Sequence, residues 1–227
     1  MFPDIVREEI FRLETQRLWL RWPLTTDAAV VPADRPPPVQ AQQGREALPE
    51  AASGDPYGVA SSDGAGDRIG RTEALRAANA AGTALHLVLT GRGLDRRVFG
   101  AIGLTPIRER IENCGLKLAG TLDPNRCGQG LMTEAVQAMV DAAFMLTDTP
   151  LIAASARVRD PAFRRVLEKC GFSYCGNGLD TPNSGAGLVA SDRFRLDRKA
   201  WASLKAWRIP GVVHARGRGA ADCRPGA

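Results

Sequence analysis

The residues whose types and spacing could do chemistry gather in one segment, DPNRCGQGLMTEA, from Asp123 to Ala135. Gly128 and Gly130 stand immediately before the clearest stretch of helical apolar spacing in the chain. The first amides of a helix have no partner within it and point outwards, and the helix dipole adds positive character there. Glycine lets the main chain approach a ligand without a Cβ in the way. Arg126 adds a mobile cation at the rim. Such a turn can cradle a pyrophosphate. A plain tight turn has the same two-glycine spacing, so the surroundings must decide between them. A dinucleotide fingerprint is excluded because Thr133 stands where the third glycine of GxGxxG belongs. A P-loop is excluded because no Gly-Lys-Ser/Thr follows.

Few other residues compete for a chemical role. Five cysteines (Cys114, Cys127, Cys170, Cys175 and Cys223) form an odd, uneven set, which argues against a disulfide framework. There is no CxxC, and the histidines are His86 and His214 alone, so no metal site is expected. The thiols read as buried or idle. Cys127 lies in the glycine turn, but a nucleophile needs a base beside it and none is evident.

The elements that must position the turn follow from periodicity. Phe11 to Trp22 alternates apolar and polar residues and predicts one half-buried strand, with Leu18 and Leu20 on one side and Arg17, Trp19 and Arg21 on the other. Thr26 and Asp27 offer caps for a short helix. From 31 to 71, Pro, Gly, Ala, Ser and Gln replace any pattern, as in a long loop or irregular insertion. A helix is expected over Thr72–Ala80, then a hairpin of Ala84–Leu89 and Val98–Leu104, then a strand over Cys114–Leu122 that ends at Asp123-Pro124. Gly130–Leu146 is the strongest helix. Leu131, Ala135, Met139, Ala142 and Leu146 share one face, and Val136, Val140 and Phe144 call for cover on another.

Leu151–Val158 reads as a strand. Asp160 and Pro161 then open a helix as cap and first residue, Phe163, Val166, Leu167 and Cys170 form its apolar face, and Gly171 ends it. Phe172–Cys175 and Arg193–Leu196 complete the strands, and the chain beyond Ile209 has no core pattern and is expected to fray. The order is mixed α/β.

With this context the segment resembles the GNAT superfamily of N-acetyltransferases, in particular its RimJ/RimL-like, ribosomal-protein alanine acetyltransferase-like branch. LETQRLWLRW (13 to 22) is similar to that branch's opening strand, VFGAIGL (98 to 104) to its next recognisable strand, and CGLKLAGTLDPNRCGQGLMTEAV to its CoA-binding strand, loop and helix. DPAFRRVLEKCGF (160 to 172) resembles the downstream segment, and RFRLDRKAW (193 to 201) the last strand. The resemblance implies a central, mostly antiparallel twisted sheet flanked by helices, with acyl-CoA at a splayed strand pair. One such domain is expected over 1–209, with 31–71 as an irregular insertion or loop, and the Gly/Ala/Arg-rich composition of 210–227 leads us to expect a basic, disordered tail.

The same resemblance implies that acetyl-CoA is the co-substrate. Amides of Arg126, Cys127, Gly128, Gln129, Gly130, Leu131 and Met132 would hold its pyrophosphate, and its pantetheine would run beside Leu118, Ala119 and Gly120. A primary amine would attack the thioester directly, and a strand amide can polarise the carbonyl. Departures from the family pattern fall on the proton transfers. Leu167 and Phe163 stand where members often carry Tyr and Ser, which leaves Tyr174 as the alternative donor and Glu112 as the carboxylate to test as base. Asp160 replaces an Asn that often contacts the cofactor and reads here as a helix cap, while Glu134 and Glu168 read as structural helix residues. A catalytically degenerate acyl-CoA-binding module is the competing expectation.

Composition bounds the setting. The net charge is +5, but much of the excess lies in Lys205, Arg208, Arg216, Arg218 and Arg224, and aromatic residues make up only 6%. Nucleic acid is therefore not the expected partner. No apolar run approaches a membrane span and the first residues lack a signal-peptide layout, so a cytoplasmic protein is expected. The expected partner is an amine acceptor, either a small molecule or a protein N-terminus, and a homodimer is left open.

Overall fold

Leucine-rich alternation produces strands, and the strands assemble into one sheet. The computed structural model describes residue 2 and residues 11–29, 65–93, 96–107, 115–180 and 188–208. In chain order the elements are β1 (Arg12–Glu14), β2 (Leu18–Arg21), a 3₁₀ turn (Thr25–Ala29), α1 (Ala65–Ala80), β3 (Leu85–Gly91), β4 (Val98–Pro106) and β5 (Leu116–Leu122). A second 3₁₀ turn (Pro124–Arg126), α2 (Leu131–Leu146), β6 (Leu151–Arg157), α3 (Pro161–Lys169), β7 (Ser173–Asp180), β8 (Val189–Asp197) and α4 (Arg198–Arg208) follow. The eight strands lie in the order β1-β2-β3-β4-β5-β6-β8-β7. Every neighbouring pair is antiparallel except β5 with β6. The expected mixed α/β architecture with a mostly antiparallel sheet is the one observed.

Period-two alternation sorts the side chains between two faces. Leu18, Leu20, Leu85, Leu87, Leu89, Ile102, Leu104, Leu116, Leu118, Ile152, Phe194 and Leu196 are all buried and form the core with α2 and α3. Gly120 belongs to this face: a Cβ there would stand 3.4 Å from Met132 Sδ in the first turn of α2. The opposite face carries His86, Val88, Ala101, Gly103, Ala119 and Thr121 in register, and α1 packs beside it on β3.

Several boundaries differ from the expectation, each for a tertiary reason. Phe11–Trp22 is a hairpin of β1 and β2 rather than one strand. Thr15 closes the turn: its hydroxyl accepts from the Leu18 amide at 3.0 Å, and its amide donates to the Leu18 carbonyl at 3.0 Å. Helix α1 begins at Ala65, seven residues before the expected start, inside the patternless stretch. Its buried stripe contains Thr72 and Asn79 rather than apolar residues. Asn79 satisfies both backbone groups of His86, accepting from its amide at 2.7 Å and donating to its carbonyl at 2.8 Å. Asp27 lies inside its 3₁₀ turn, accepts from the Leu24 amide at 2.7 Å and pairs with Arg21.

At the other end, β7 and β8 run longer than Phe172–Cys175 and Arg193–Leu196, because each supplies the partner its glycine- and arginine-rich neighbour needs. The expected last strand stops at Asp197, and Arg198–Arg208 is helix α4. The Arg198 guanidinium donates to the Phe144, Thr147 and Thr149 carbonyls and so caps the C-terminal end of α2. Trp201 and Lys205, one turn apart, both bond Asp141 of α2. Residues 31–64 of the irregular stretch and 209–227 at the C-terminus lie outside the described residues.

Helix α3 follows the sequence closely. Asp160 Oδ1 accepts from the Phe163 amide at 3.0 Å, Pro161 is the first helical residue, and Gly171 takes a φ of 89° just past the end. Replacing Asp160 with Ala should cost about 1 kcal/mol, the usual value of a cap. A thermal melt indistinguishable from that of the parent would refute this role.

Candidate functional site

The site grows from the end of β5. The Asp123 amide donates to the Phe99 carbonyl at 2.7 Å, which ties the end of β5 to β4. The Asp123 carboxylate then accepts from the Asn125 amide at 2.9 Å, and Pro124–Arg126 make a single 3₁₀ turn. Gly128 and Gly130 have φ of 76° and 74°, the left-handed region that L side chains avoid. Gly130 is the residue before α2, and no side chain caps the helix. A Cβ on Gly128 would meet nothing within 4 Å. The turn therefore presents open space over the uncapped first amides of a sixteen-residue helix, and that is a place for an anion.

Arg17, in the β1–β2 turn, reaches this loop. Its guanidinium donates to the Gln129 carbonyl at 2.9 Å and to Glu134 Oε2 at 2.8 Å, while its own amide donates to Glu134 Oε1 at 2.7 Å. Burial alone would raise the Glu134 pKa. Hydrogen bonds from Thr15 and Arg17, together with the Arg17 charge, outweigh it and hold the carboxyl below its ordinary value. Glu134 thus fixes the Arg17 guanidinium beside the glycine turn.

The sign of the pH effect follows. A carboxyl depressed in the folded state adds stability above its unfolded value of 4.5, and that contribution is lost as the pH falls through the folded value. Urea midpoints of the parent and Glu134→Gln should differ at neutral pH and converge on acidification below about 4.5. A gap that persists in acid would rule out the ion pair as its cause.

The neighbouring strands open a notch. β5 and β6 pair only at Leu116 with Ile152, Lys117 with Ala153 and Leu118 with Ala154. Both strands continue, to Leu122 and Arg157, without pairing each other. The backbone edge from Ala119 to Leu122 is thereby free on the β6 side and can pair with an extended ligand, as a further strand would.

The structure brings Leu118, Ala119 and Gly120 on β5 together with Arg126, Cys127, Gly128, Gln129, Gly130, Leu131 and Met132 in the loop and first helical turn. Arg126 is exposed, its guanidinium 5.4 Å from the centre of the Phe99 ring. The exposed Cys127 thiol lies 3.6 Å from the Asp123 carbonyl, and among the described residues no base bonds it. Asp160 caps α3, and Glu168 pairs with Arg164. Glu112 lies outside the described residues. Tyr174 is not brought to the loop: it stands on β7, in register with Phe194, Ala154 and Leu118 and three strand spacings from the last. That separation is roughly 14 Å. Leu167 is fully buried, and the partly buried Phe163 packs against the core.

Sequence reasoning missed Arg17 and Glu134 as a pair, because 117 residues separate them. It also missed a shallow cleft on the face opposite α2, lined by Pro23, Leu75, His86, Gly103, Ala119 and Thr121. Among the described residues no group of three metal-ligating side chains occurs, and no helix is long and apolar enough to cross a membrane.

Comparisons with known proteins agree with this geometry. The family model described as an acetyltransferase (GNAT) domain matches residues 17–173. No curated protein matches the chain. Among solved structures, a ribosomal-protein alanine acetyltransferase from Vibrio fischeri is similar with a TM-score of 0.61 at 16% identity, over 84% of this chain and 98% of that one. A RimL ribosomal alpha-N-protein acetyltransferase in complex with coenzyme A gives 0.60 at 15% identity, over 84% and 99%. The microcin self-immunity acetyltransferase MccE, in complex with acetyl-CoA and AMP, gives 0.56 at 12% identity, over 81% and 93%. At such identities the likeness is one of fold, whereas the family model spans most of the chain together with its turn and notch: the chain belongs to the GNAT acetyltransferase family.

Proposed function

We propose that the protein moves the acetyl group of acetyl-CoA to a primary amine by direct attack in a ternary complex, in the cytoplasm. The carrying observation is the divergence of β5 from β6 after Leu118 and Ala154, which leads straight into the two-glycine turn. A pyrophosphate held by the amides from Arg126 to Met132 would send its pantetheine along the free edge at Ala119 and Gly120. The thioester carbonyl would then lie within reach of a β5 amide, the kind of fixed donor that stabilises a developing oxyanion. Arg17, held by Glu134, adds positive charge at the phosphate end.

The acceptor is either a small amine or a protein N-terminus. Protein α-amino groups are the first class to test, because the RimJ/RimL-like segments support them and the Vibrio fischeri and RimL structures are named for such acceptors. The test is release of CoA thiol from acetyl-CoA in the presence of peptides with N-terminal alanine or serine, spermidine and glycinamide. Thiol release that depends on an amine supports the reading.

The second reading is an acyl-CoA-binding module without turnover. It is favoured by the burial of Leu167, by the packing of Phe163, and by the distance of Tyr174 from β5. Tight acetyl-CoA binding with no thiol release across the panel would select it.

A further inference from the structure

Gln129 lies between Gly128 and Gly130, and its carbonyl is taken by a residue from another part of the chain. Arg17, in the β1–β2 turn, donates to it through Nη1 at 2.9 Å. Among the described residues, the amides of Gly128, Gln129, Gly130, Leu131 and Met132 donate to no protein group. The turn thus offers a row of free donors, whose directions depend on how the peptide planes are set.

The Gln129–Gly130 peptide is planar and trans, so its C=O and N–H point to opposite sides of the chain. With the carbonyl turned to Arg17, the Gly130 N–H faces away from the guanidinium. A Cβ on Gly130 would fall on the guanidinium side, 3.5 Å from Nη2. Glycine takes φ of either sign, so Gly130 itself does little to stop this plane from turning over. Turned over, it would present a carbonyl oxygen where it now presents an N–H.

Arg17 is itself held. Its Nε and its backbone amide donate to the two oxygens of Glu134, at 2.8 and 2.7 Å, and its carbonyl accepts from the Arg92 amide at 3.1 Å. Glu134 lies in the first turn of α2. The helix that supplies the free amides therefore also supplies the carboxylate that aims Arg17 at the carbonyl before it. A planar guanidinium serves both partners at once through Nε and Nη1, and a lysine ammonium has no such fork.

Resting on the acetyl-transfer reading above, we propose that Arg17 is a positioning residue of the diphosphate site: by holding the Gln129 carbonyl it keeps the Gly130 N–H directed at the CoA diphosphate. This role is separate from the charge that Arg17 carries, and substitution tells the two apart. In Arg17→Gln the new amide nitrogen stands where Nε stands and can still donate to Glu134, while the arm that reaches Gln129 is gone. Arg17→Lys keeps the charge and lacks the fork.

Calorimetry with acetyl-CoA on the parent comes first: no binding there defeats the acetyl-transfer reading and takes this proposal with it. On a parent that binds, both variants are expected to bind roughly 10- to 100-fold more weakly, the value of one charge-assisted hydrogen bond. The same factor is expected with acetyl-dephospho-CoA, which keeps the diphosphate and lacks the 3′-phosphate. A Lys variant that binds like the parent would show that charge alone acts, and a loss seen only with the 3′-phosphate present would move Arg17 to that group. Either result overturns the proposal.

Two-dimensional amide NMR reads the orientation itself. In the parent the Gly130 amide proton should move downfield as acetyl-CoA saturates the protein, as a new bond to phosphate requires. At saturation of Arg17→Gln it should stay nearly in place while the Leu131 and Met132 amides still respond. A merely structural Arg17 would weaken the response of all three alike, and that outcome overturns the assignment. So does a Gly130 amide that responds equally in both proteins, or a Gln variant that binds within threefold of the parent.

Discussion

Gly128→Glu is expected to abolish acetyl-CoA binding at concentrations that saturate the parent protein, while the fold survives. Gly128 has open space where a Cβ would go, with no protein atom within 4 Å of it, so a side chain can leave the backbone there without a clash. Its φ of 76° makes any L residue strained, by about 1–2 kcal/mol, and this sets the lesser effect expected of Gly128→Ala. Glutamate adds a negative charge beside the place proposed for two phosphates, and its carboxylate can itself accept from the uncapped amides of α2. Loss of two or more charge-assisted hydrogen bonds, at about 1.5–3 kcal/mol each, corresponds to an affinity drop of at least two orders of magnitude. Calorimetry should give a micromolar dissociation constant for the parent, a weaker one for Gly128→Ala and no measurable heat for Gly128→Glu. Equal affinity in all three proteins would remove the cradle from the account. Gly130→Glu should behave like Gly128→Glu, with its side chain placed in contact with Arg17, whose Nη2 would lie 3.5 Å from the new Cβ.

Phe194→Ala should have the largest effect on stability. The ring is 1% exposed, lies on the core face of β8 opposite Ala154, and meets the Tyr174 ring edge-on at a centroid distance of 5.8 Å. Ala154 is also the last β6 residue that pairs with β5, so the ring packs beside the point at which the notch begins. Truncating a buried phenylalanine typically costs about 3–5 kcal/mol, because its neighbours cannot collapse into the space. Against a total stability of about 5–15 kcal/mol this is a large fraction, and a fall of roughly 10 °C in melting temperature is expected. Acetyl-CoA should still raise the melting temperature of Phe194→Ala through its preference for the folded state, whereas it should leave that of Gly128→Glu unchanged. A melting temperature for Phe194→Ala within a degree or two of the parent would show that the site collapses at little cost.

Much of the fold is legible where local rules suffice. Asp160, Pro161 and Gly171 mark both ends of α3 because caps and left-handed ends are decided within four residues. The apolar spacing of Leu131 to Phe144 gives α2 and its two buried sides for the same reason. Local rules fail where a partner far along the chain supplies what the segment lacks. Helix α1 hides its stripe behind Thr72 and Asn79, and Asn79 is explained only by the β3 backbone that it bonds. The stretch likened to a last strand, 193 to 201, ends within α4, where Arg198 caps carbonyls of α2 more than fifty residues away.

The two-glycine turn followed by a helix, the chemistry of an anion cradle and the likeness to acetyltransferases were determined by the sequence alone. The first two depend on residues within about a dozen positions of one another, where backbone conformation and unpaired amides follow from residue type, and the likeness on several such segments between Leu13 and Trp201. Tertiary structure alone decided three further things: that Arg17 and Glu134 meet across 117 residues to hold a cation at that turn, that β5 leaves β6 after Leu118, and that the His86 ring lies over Gly103. Each is a matter of which strand lies beside which, and in what register. Register is set by the burial of a whole sheet face and not by any segment within it.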